Sequence, residues 1–349
     1  MPSERVRSPL RRWLWRLVVT AAAIVVGYLV IERIGRIDWD AVGDALGRLS
    51  WWQPFVLLVV VAVRQVLNAC PLHYYIAGLS LARATQNDLG AILMYTFAPG
   101  PANYGLRMAM FSSWDIPLAR GAAGALMNTL TFWMVRFSAP LAGFAMIVVV
   151  GGEMSFRWAD LVSLAVAVGI VVGVMLVLRS DALARLVGLR SGRLIRRVRS
   201  SVDPERWARS CVDFRSHVSH RFRYGFPRSL AATVLMVAVE WLLLVLCLRF
   251  VGVSSSDASL ADIAIAYLFA FPLTAMPFSG IGVLDSLVIA SLVQTGDISV
   301  EAPAFAGLVV WRIFTLGVPA VGGAVAVALW RHTSGWTLRS VWESRKTRS

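Results

Sequence analysis

Apolar runs of roughly 17 to 30 residues recur along this chain, and a helix of about 20 such residues is what it takes to cross the hydrocarbon core of a bilayer. The composition agrees, with 58% hydrophobic and 15% charged residues over 349 positions. A chain with this pattern reads as an all-α, polytopic integral membrane protein forming a single membrane domain from residue 1 to 349. The first run, "LVVTAAAIVVGYLVI" from Leu17 to Ile31, follows an arginine-rich start. No small-residue cleavage site follows it, so it reads as a retained anchor rather than a signal peptide.

Charge sets the expected orientation. The formal net charge of +14 is concentrated in three stretches: Arg5 to Arg16, Arg179 to Arg228, and the tail from Arg331 to Arg348. By the positive-inside rule all three, with both termini, are expected on the cytoplasmic side. Expected crossings are 15–31 outward, 52–72 inward, 119–150 outward, 158–178 inward, 227–250 outward and 303–331 inward. Two further apolar segments, 87–112 and 260–295, are interrupted by proline and glycine. Each admits two readings, a pair of full spans or a pair of half-helices that enters and leaves on one side, and both add an even number of crossings. The polar segment 179–226 is expected to form a basic cytoplasmic loop of short amphipathic helices lying along the membrane surface. Basic stretches beside membrane spans meet anionic lipid headgroups more often than nucleic acid, and no nucleic-acid partner is expected.

Ligand chemistry is narrowed by what the residues lack. Cys70, Cys211 and Cys247 are far apart and the four histidines do not cluster with them, so neither a disulfide framework nor a metal site is expected. No P-loop is present, and no cofactor is anticipated.

An internal repeat organises the rest. "VAVRQVL" (Val61 to Leu67) returns as "VAVEWLL" (Val237 to Leu243), and "PANYG" from Pro101 matches "PFSGIG" from Pro277. Arg136 in "FWMVRFSAPLAG" matches Arg312 in "VVWRIFTLGVPAVGG", also at an offset of 176. Because the 52–72 span runs inward and its counterpart outward, the two halves are expected to be inverted repeats. Repeat one covers about 52–150, a linking span 158–178, and repeat two about 227–331. Inverted repeats with interrupted helices are typical of transporters, whose substrate site lies near the midplane between the halves. The breakers Pro99, Gly100, Pro101 and Gly105, and Pro277, Gly280 and Gly282, would end helices inside the bilayer. A helix N-terminus there is expected to offer N–H groups to an anion.

Charged residues within apolar spans need a partner, water or a purpose. Arg64 and Glu240 occupy equivalent repeat positions and are expected to form a structural ion pair. Arg107 and Asp285 nearly do, and symmetry suggests that they also meet, at the substrate site. Arg136 and Arg312 have no repeat-equivalent acid, which suits the planar guanidinium to a phosphate. Snorkelling or capping of backbone carbonyls competes with that reading. Asn103, Gly280 and Gly282 complete the expected substrate-binding set, with Tyr104 and Ser279 as weaker neutral donors, while Trp133 and Trp311 read as packing residues.

"MPFSGIGVLDSLVIASLVQTG" followed by "AFAGLVVWRIFTLGVPAVGG" resembles the second half of the lysylphosphatidylglycerol synthase transmembrane region, also called the flippase-like domain. "YTFAPGPANYGLRMAMFSSWDIPLARGAAGAL" resembles its first half. The likeness covers about Val61 to Leu329. It departs from the pattern at Asp285, where the family commonly has Glu, and at "PGPANYG", where a Gly-Gly pair is more usual. The resemblance implies movement of aminoacylated phospholipids across the bilayer, or a place in lipid-linked sugar pathways, and the bacterial inner membrane is the expected location. The chain runs only about 20 residues past the last expected span, so no aminoacyl-transferase activity is expected. The leading expectation is therefore a non-enzymatic translocator of an anionic, phosphate-bearing lipid. The alternatives are a membrane subunit that docks a soluble enzyme through the basic loop and, less favoured, a membrane-embedded transferase.

Overall fold

The computed structural model describes residues 39–97, 101–150, 180–198, 203–295 and 298–334, together with Gly169 and Val172. The expected spans 15–31 and, those two positions apart, 158–178 lie outside the described residues, as do Pro99 and Gly100. Within the described residues the chain is helical without a strand, so most backbone polar groups bond within their own helix, as a membrane segment requires.

The elements are α1 (Trp39–Gly47), α2 (Gln53–Tyr75), α3 (Leu81–Phe97), α4 (Pro101–Ser113), α5 (Leu118–Val150), α6 (Asp181–Val198), α7 (Pro204–Phe250), α8 (Leu260–Ala270), α9 (Val283–Thr295), α10 (Glu301–Arg312) and α11 (Val318–Ser334). Two 3-10 turns, Phe271–Ala275 and Pro277–Gly280, separate α8 from α9, and a π-helical turn, Ile313–Gly317, joins α10 to α11. Among the described residues, four stretches are long and apolar enough to cross a bilayer: Gln53–Tyr75, Leu118–Val150, Tyr224–Phe250 and Glu301–Ser334. Helices α4 and α9 have 13 residues each, about 20 Å, against a hydrocarbon core about 30 Å thick. By length neither crosses alone, which favours half-helix pairs over full spans.

Local chemistry explains the ends. Pro54 opens α2, and Pro204 opens α7 behind Asp203, whose side chain accepts from Glu205 N at 3.0 Å. Ser259 and Asp262 form a reciprocal capping box at the start of α8.

Between the spans the packing crosses over. Helix α2 packs along α7, its counterpart at the 176-residue offset; α5 packs on α8, and α11 packs on α3. Lipid tails are as apolar as leucine, so such contacts depend on close approach rather than on hydrophobic transfer. Gly323 of α11 lies directly on the Leu89 carbonyl of α3, and a Cβ on Gly143 of α5 would fall 3.0 Å from Phe269 of α8. One buried core joins α2, α5, α7, α8, α9 and α10 and contains Tyr267, Phe271, Leu284 and Trp311.

Helix α7 departs from the surface-lying loop expected over 179–226. It runs unbroken for 47 residues, of which the apolar span takes 27. The remaining 20 continue past the membrane for about 30 Å. Helix α6 folds back on this extension, with Gly188 so close that a Cβ would sit 2.6 Å from Ala208 Cα. The basic segment is thus a standing helical hairpin, because α6 spends its small-residue face on α7 and leaves Arg185, Arg190, Arg193 and Arg196 exposed.

Candidate functional site

Among the described residues, three largely buried arginine–carboxylate pairs lie in or beside the apolar segments. Arg64 of α2 meets Glu240 of α7 at 3.3 Å, Arg107 of α4 meets Asp88 of α3 at 2.7 Å, and Arg312 of α10 meets Asp285 of α9 at 2.9 Å. Each partner keeps between 4% and 14% of its side-chain surface. The expected pairing of Arg107 with Asp285 does not form. Chain neighbours decide both partners: α3 and α4 form one hairpin, and α9 and α10 pack together, so Arg107 and Asp285 each find a counter-ion on the adjoining helix.

Asp88 is the node of the first network. Its Oδ2 accepts from Gln65 Nε2 at 2.8 Å and Asn68 Nδ2 at 2.6 Å, while Arg107 also donates to Asn87 Oδ1 at 3.1 Å. Gln65, Asn68 and Asn87 were not among the expected site residues. The usable signal was Gln65 and Asn68 at a three-residue spacing, on one face of an otherwise apolar span.

Asp285 does two jobs in the second network. Its Oδ2 accepts from the backbone N–H of Gly282 at 2.8 Å, and its Oδ1 accepts from Arg312 Nε at 2.9 Å. The first-turn acid therefore fills the N-terminus of α9 with the protein's own negative charge. Of the N–H groups expected to be open to an anionic ligand there, that of Gly282 is taken by Asp285. Arg312 Nη1 also donates to Ser279 O at 3.2 Å, so one guanidinium ties the broken turn to the helix after it. The turn itself is left-handed at Ser279 (φ 56°), Gly280 (φ 67°) and Gly282 (φ 83°). At Gly280 a Cβ would also come 2.6 Å from Leu273 O, so glycine is required twice over.

Arg136 of α5 is the exception. It pairs with no carboxylate among the described residues; its guanidinium lies 4.4 Å from the ring centre of Phe132, and its Nε has no acceptor. Arg136, Arg64, Glu240, Ser279, Trp311 and Arg312 line one chamber of about 60 Å3. The π-helical turn directly after Arg312 brings Thr315 and Leu316 into its wall, a distortion often found where a helix serves a site. Arg107 and Asn103 lie outside this lining; Asn103 Oδ1 is buried without a donor among the described residues. Among the described residues, the Asp88 network reaches the chamber through Arg64 Nη1, 3.5 Å from Gln65 Oε1.

An apolar cleft of about 680 Å3 lies back to back with the chamber, lined by α5, α7 and α8. Adjacent residues face the two cavities: Val135 the cleft and Arg136 the chamber, Trp241 the cleft and Glu240 the chamber. A polar pocket and a tail-sized apolar one thus share the α5–α7 seam. Among the described residues no three His, Cys, Asp or Glu side chains come together as a metal site would require.

No individual curated protein matches this chain. The family model of the lysylphosphatidylglycerol synthase TM region, which describes a membrane domain and not a catalytic one, matches residues 13–323. With nearly its whole length so matched, the chain belongs to the lysylphosphatidylglycerol synthase transmembrane family, membrane proteins of lipid metabolism.

Proposed function

We propose that the protein is a translocator that carries an anionic phospholipid or lipid-linked intermediate across the bacterial inner membrane, with both termini cytoplasmic. One observation carries this reading: a polar arginine chamber and a large apolar cleft share one helix seam inside the membrane. An amphiphile has those two parts. Its headgroup needs a polar path past the midplane, and its tail needs an apolar surface that stays continuous with lipid. The short helices α4 and α9 are each held by an arginine–aspartate pair, and interrupted helices of this kind are what a transporter fold uses at its site. The arrangement of 52–150 and 227–331 as inverted repeats belongs to this proposal, and the crossed packing of α5 on α8 and α11 on α3 supports it.

The test is leaflet exchange of fluorescent phospholipids in proteoliposomes. Wild type should accelerate exchange well above protein-free vesicles, and Arg312→Ala and Asp285→Asn should each abolish the gain. Folded wild type that leaves exchange at the vesicle rate would refute the proposal.

The standing α6–α7 hairpin favours a second reading, a membrane subunit whose exposed arginines dock a soluble enzyme. Deleting residues 185–211 separates the two: a translocator keeps exchange, whereas a docking subunit loses its cellular function.

A further inference from the structure

The chamber's charge and size bear on the kind of lipid it accepts. Arg64, Arg136 and Arg312 bring three positive charges, and Glu240 and Asp285 bring two negative ones, leaving one unit of positive charge enclosed within the membrane. Uncompensated charge in such a place is costly, and a single anion removes the cost. The donors are also in surplus. Arg64 Nε, Arg136 Nε, Arg312 Nη2 and Trp311 Nε1 are buried around the chamber with no acceptor among the described residues. Arg312 keeps Nη2 unused because Nε and Nη1 are committed to Asp285 and Ser279. Buried donors in that number are paired in most proteins, so four around one cavity mark a missing acceptor with several lone pairs. At about 60 Å3 the chamber has room for a few water molecules or one phosphate group. A sugar or amino-acid headgroup does not fit beside the phosphate.

We propose that Arg136, with Arg312, Arg64 and Trp311, binds the phosphate of a singly charged phosphodiester lipid, and that the alcohol esterified beyond the phosphate stays outside the chamber. This rests on the translocator reading and adds a selectivity: phosphodiesters are accepted whatever their headgroup, while dianionic monoesters and uncharged lipids are rejected. Trp311, which reads from the sequence as a packing residue, becomes a ligand through its indole N–H.

Binding is measured separately from exchange, by ligand-induced thermal stabilisation of the purified full chain in detergent at about pH 8, where a phosphomonoester is close to doubly charged. The probes are dihexanoyl phosphatidylglycerol, dihexanoyl phosphatidylethanolamine, dihexanoyl phosphatidic acid, dihexanoylglycerol and inorganic phosphate. The two diesters should bind within about threefold of each other, and the monoester and the neutral lipid about tenfold or more weaker. Arg136→Gln should weaken diester binding about tenfold or more, Arg136→Lys should restore part of it, and Arg185→Gln on the hairpin should change nothing. Competition by inorganic phosphate as strong as that of a diester would overturn the lipid assignment in favour of a free-anion site. Equal binding of all lipids, or binding unchanged in Arg136→Gln, would overturn the site itself. Exchange without this selectivity sinks the inference alone, whereas selective binding without exchange sinks translocation and leaves the site standing.

Discussion

At the scale of single residues, the buried ion pairs make sharp predictions because an unpaired charge costs more than a missing pair. Glu240→Gln leaves Arg64 without its carboxylate and should destabilise the protein by about 3–5 kcal/mol. The apolar double replacement Arg64→Met with Glu240→Leu should be milder than Glu240→Gln alone. Thermal unfolding in detergent checks both, and a double variant worse than that single one would contradict the argument. Gly280→Ala should cost about 1–3 kcal/mol from its left-handed backbone, with more from the clash at Leu273 O. Outside the spans, Asp257 accepts from the Ser254 hydroxyl at 2.7 Å and the Ser254 N–H at 2.8 Å, with Arg249 adding its charge. These hold its carboxyl below the ordinary value of 3.8. A depressed folded-state pKa gives stability that is present above the unfolded value and lost as pH falls below it. Unfolding midpoints of wild type should therefore drop, as pH falls below the ordinary value of 3.8, by more than those of Asp257→Asn. The residue scale also marks where the sequence ran out. Arg64 and Glu240 could be paired because they are repeat equivalents, 176 residues apart. Symmetry misled for Arg107 and Asp285, whose partners are set by hairpin neighbours, Asp88 and Arg312, and no offset reveals which face of a hairpin an acid occupies.

At the scale of elements, the long spans could be read from apolar length alone, since α2 and the apolar part of α7 contain few charges to interrupt them. The half-helix lengths were not readable, because proline and glycine mark a break without saying how far the helix runs on either side. The standing hairpin was misread for a related reason. Its amphipathic pattern fits a helix lying on lipid and equally a helix packed on another helix; Gly188 and Gly192 of α6, each pressed on the α7 backbone, decide for the second. A spin label on Arg193→Cys should therefore stay accessible to a water-soluble relaxant in anionic vesicles. The native Cys211 lies in the hairpin seam, and burial pushes its thiol above the ordinary value, so it should label much more slowly. Relaxation of the Arg193 label by a lipid-soluble reagent instead would restore the surface-lying arrangement. Gly188→Val should unpack the hairpin, raising Cys211 reactivity while leaving the stability of the spans largely intact.

At the scale of the whole molecule, the crossed packing is what would let one half move against the other. If the two proposed repeats rock, the α3–α11 and α5–α8 seams cannot both stay closed throughout a cycle, because each joins a helix of one proposed repeat to a helix of the other. The α3–α11 seam is tight at a convenient place: a Cβ on Gly90 would lie 3.2 Å from Val327 Cγ2, close to the spacing a disulfide needs. Gly90→Cys with Val327→Cys should cross-link under mild oxidation, and lipid exchange should then fall toward the vesicle background and return on reduction. Each single variant should exchange at close to the wild-type rate in either state, which removes oxidation itself as the cause. The binding assay supplies the second reading: a locked protein should still bind the short-chain diester, because the chamber is built from α2, α5, α7, α10 and the turns beside α8 and α10, and not from α3 or α11. Full exchange by a fully cross-linked protein would mean that lipid passes without separation of this seam, along the α5–α7 face where cleft and chamber adjoin, and the rocking mechanism would fall while the site remained.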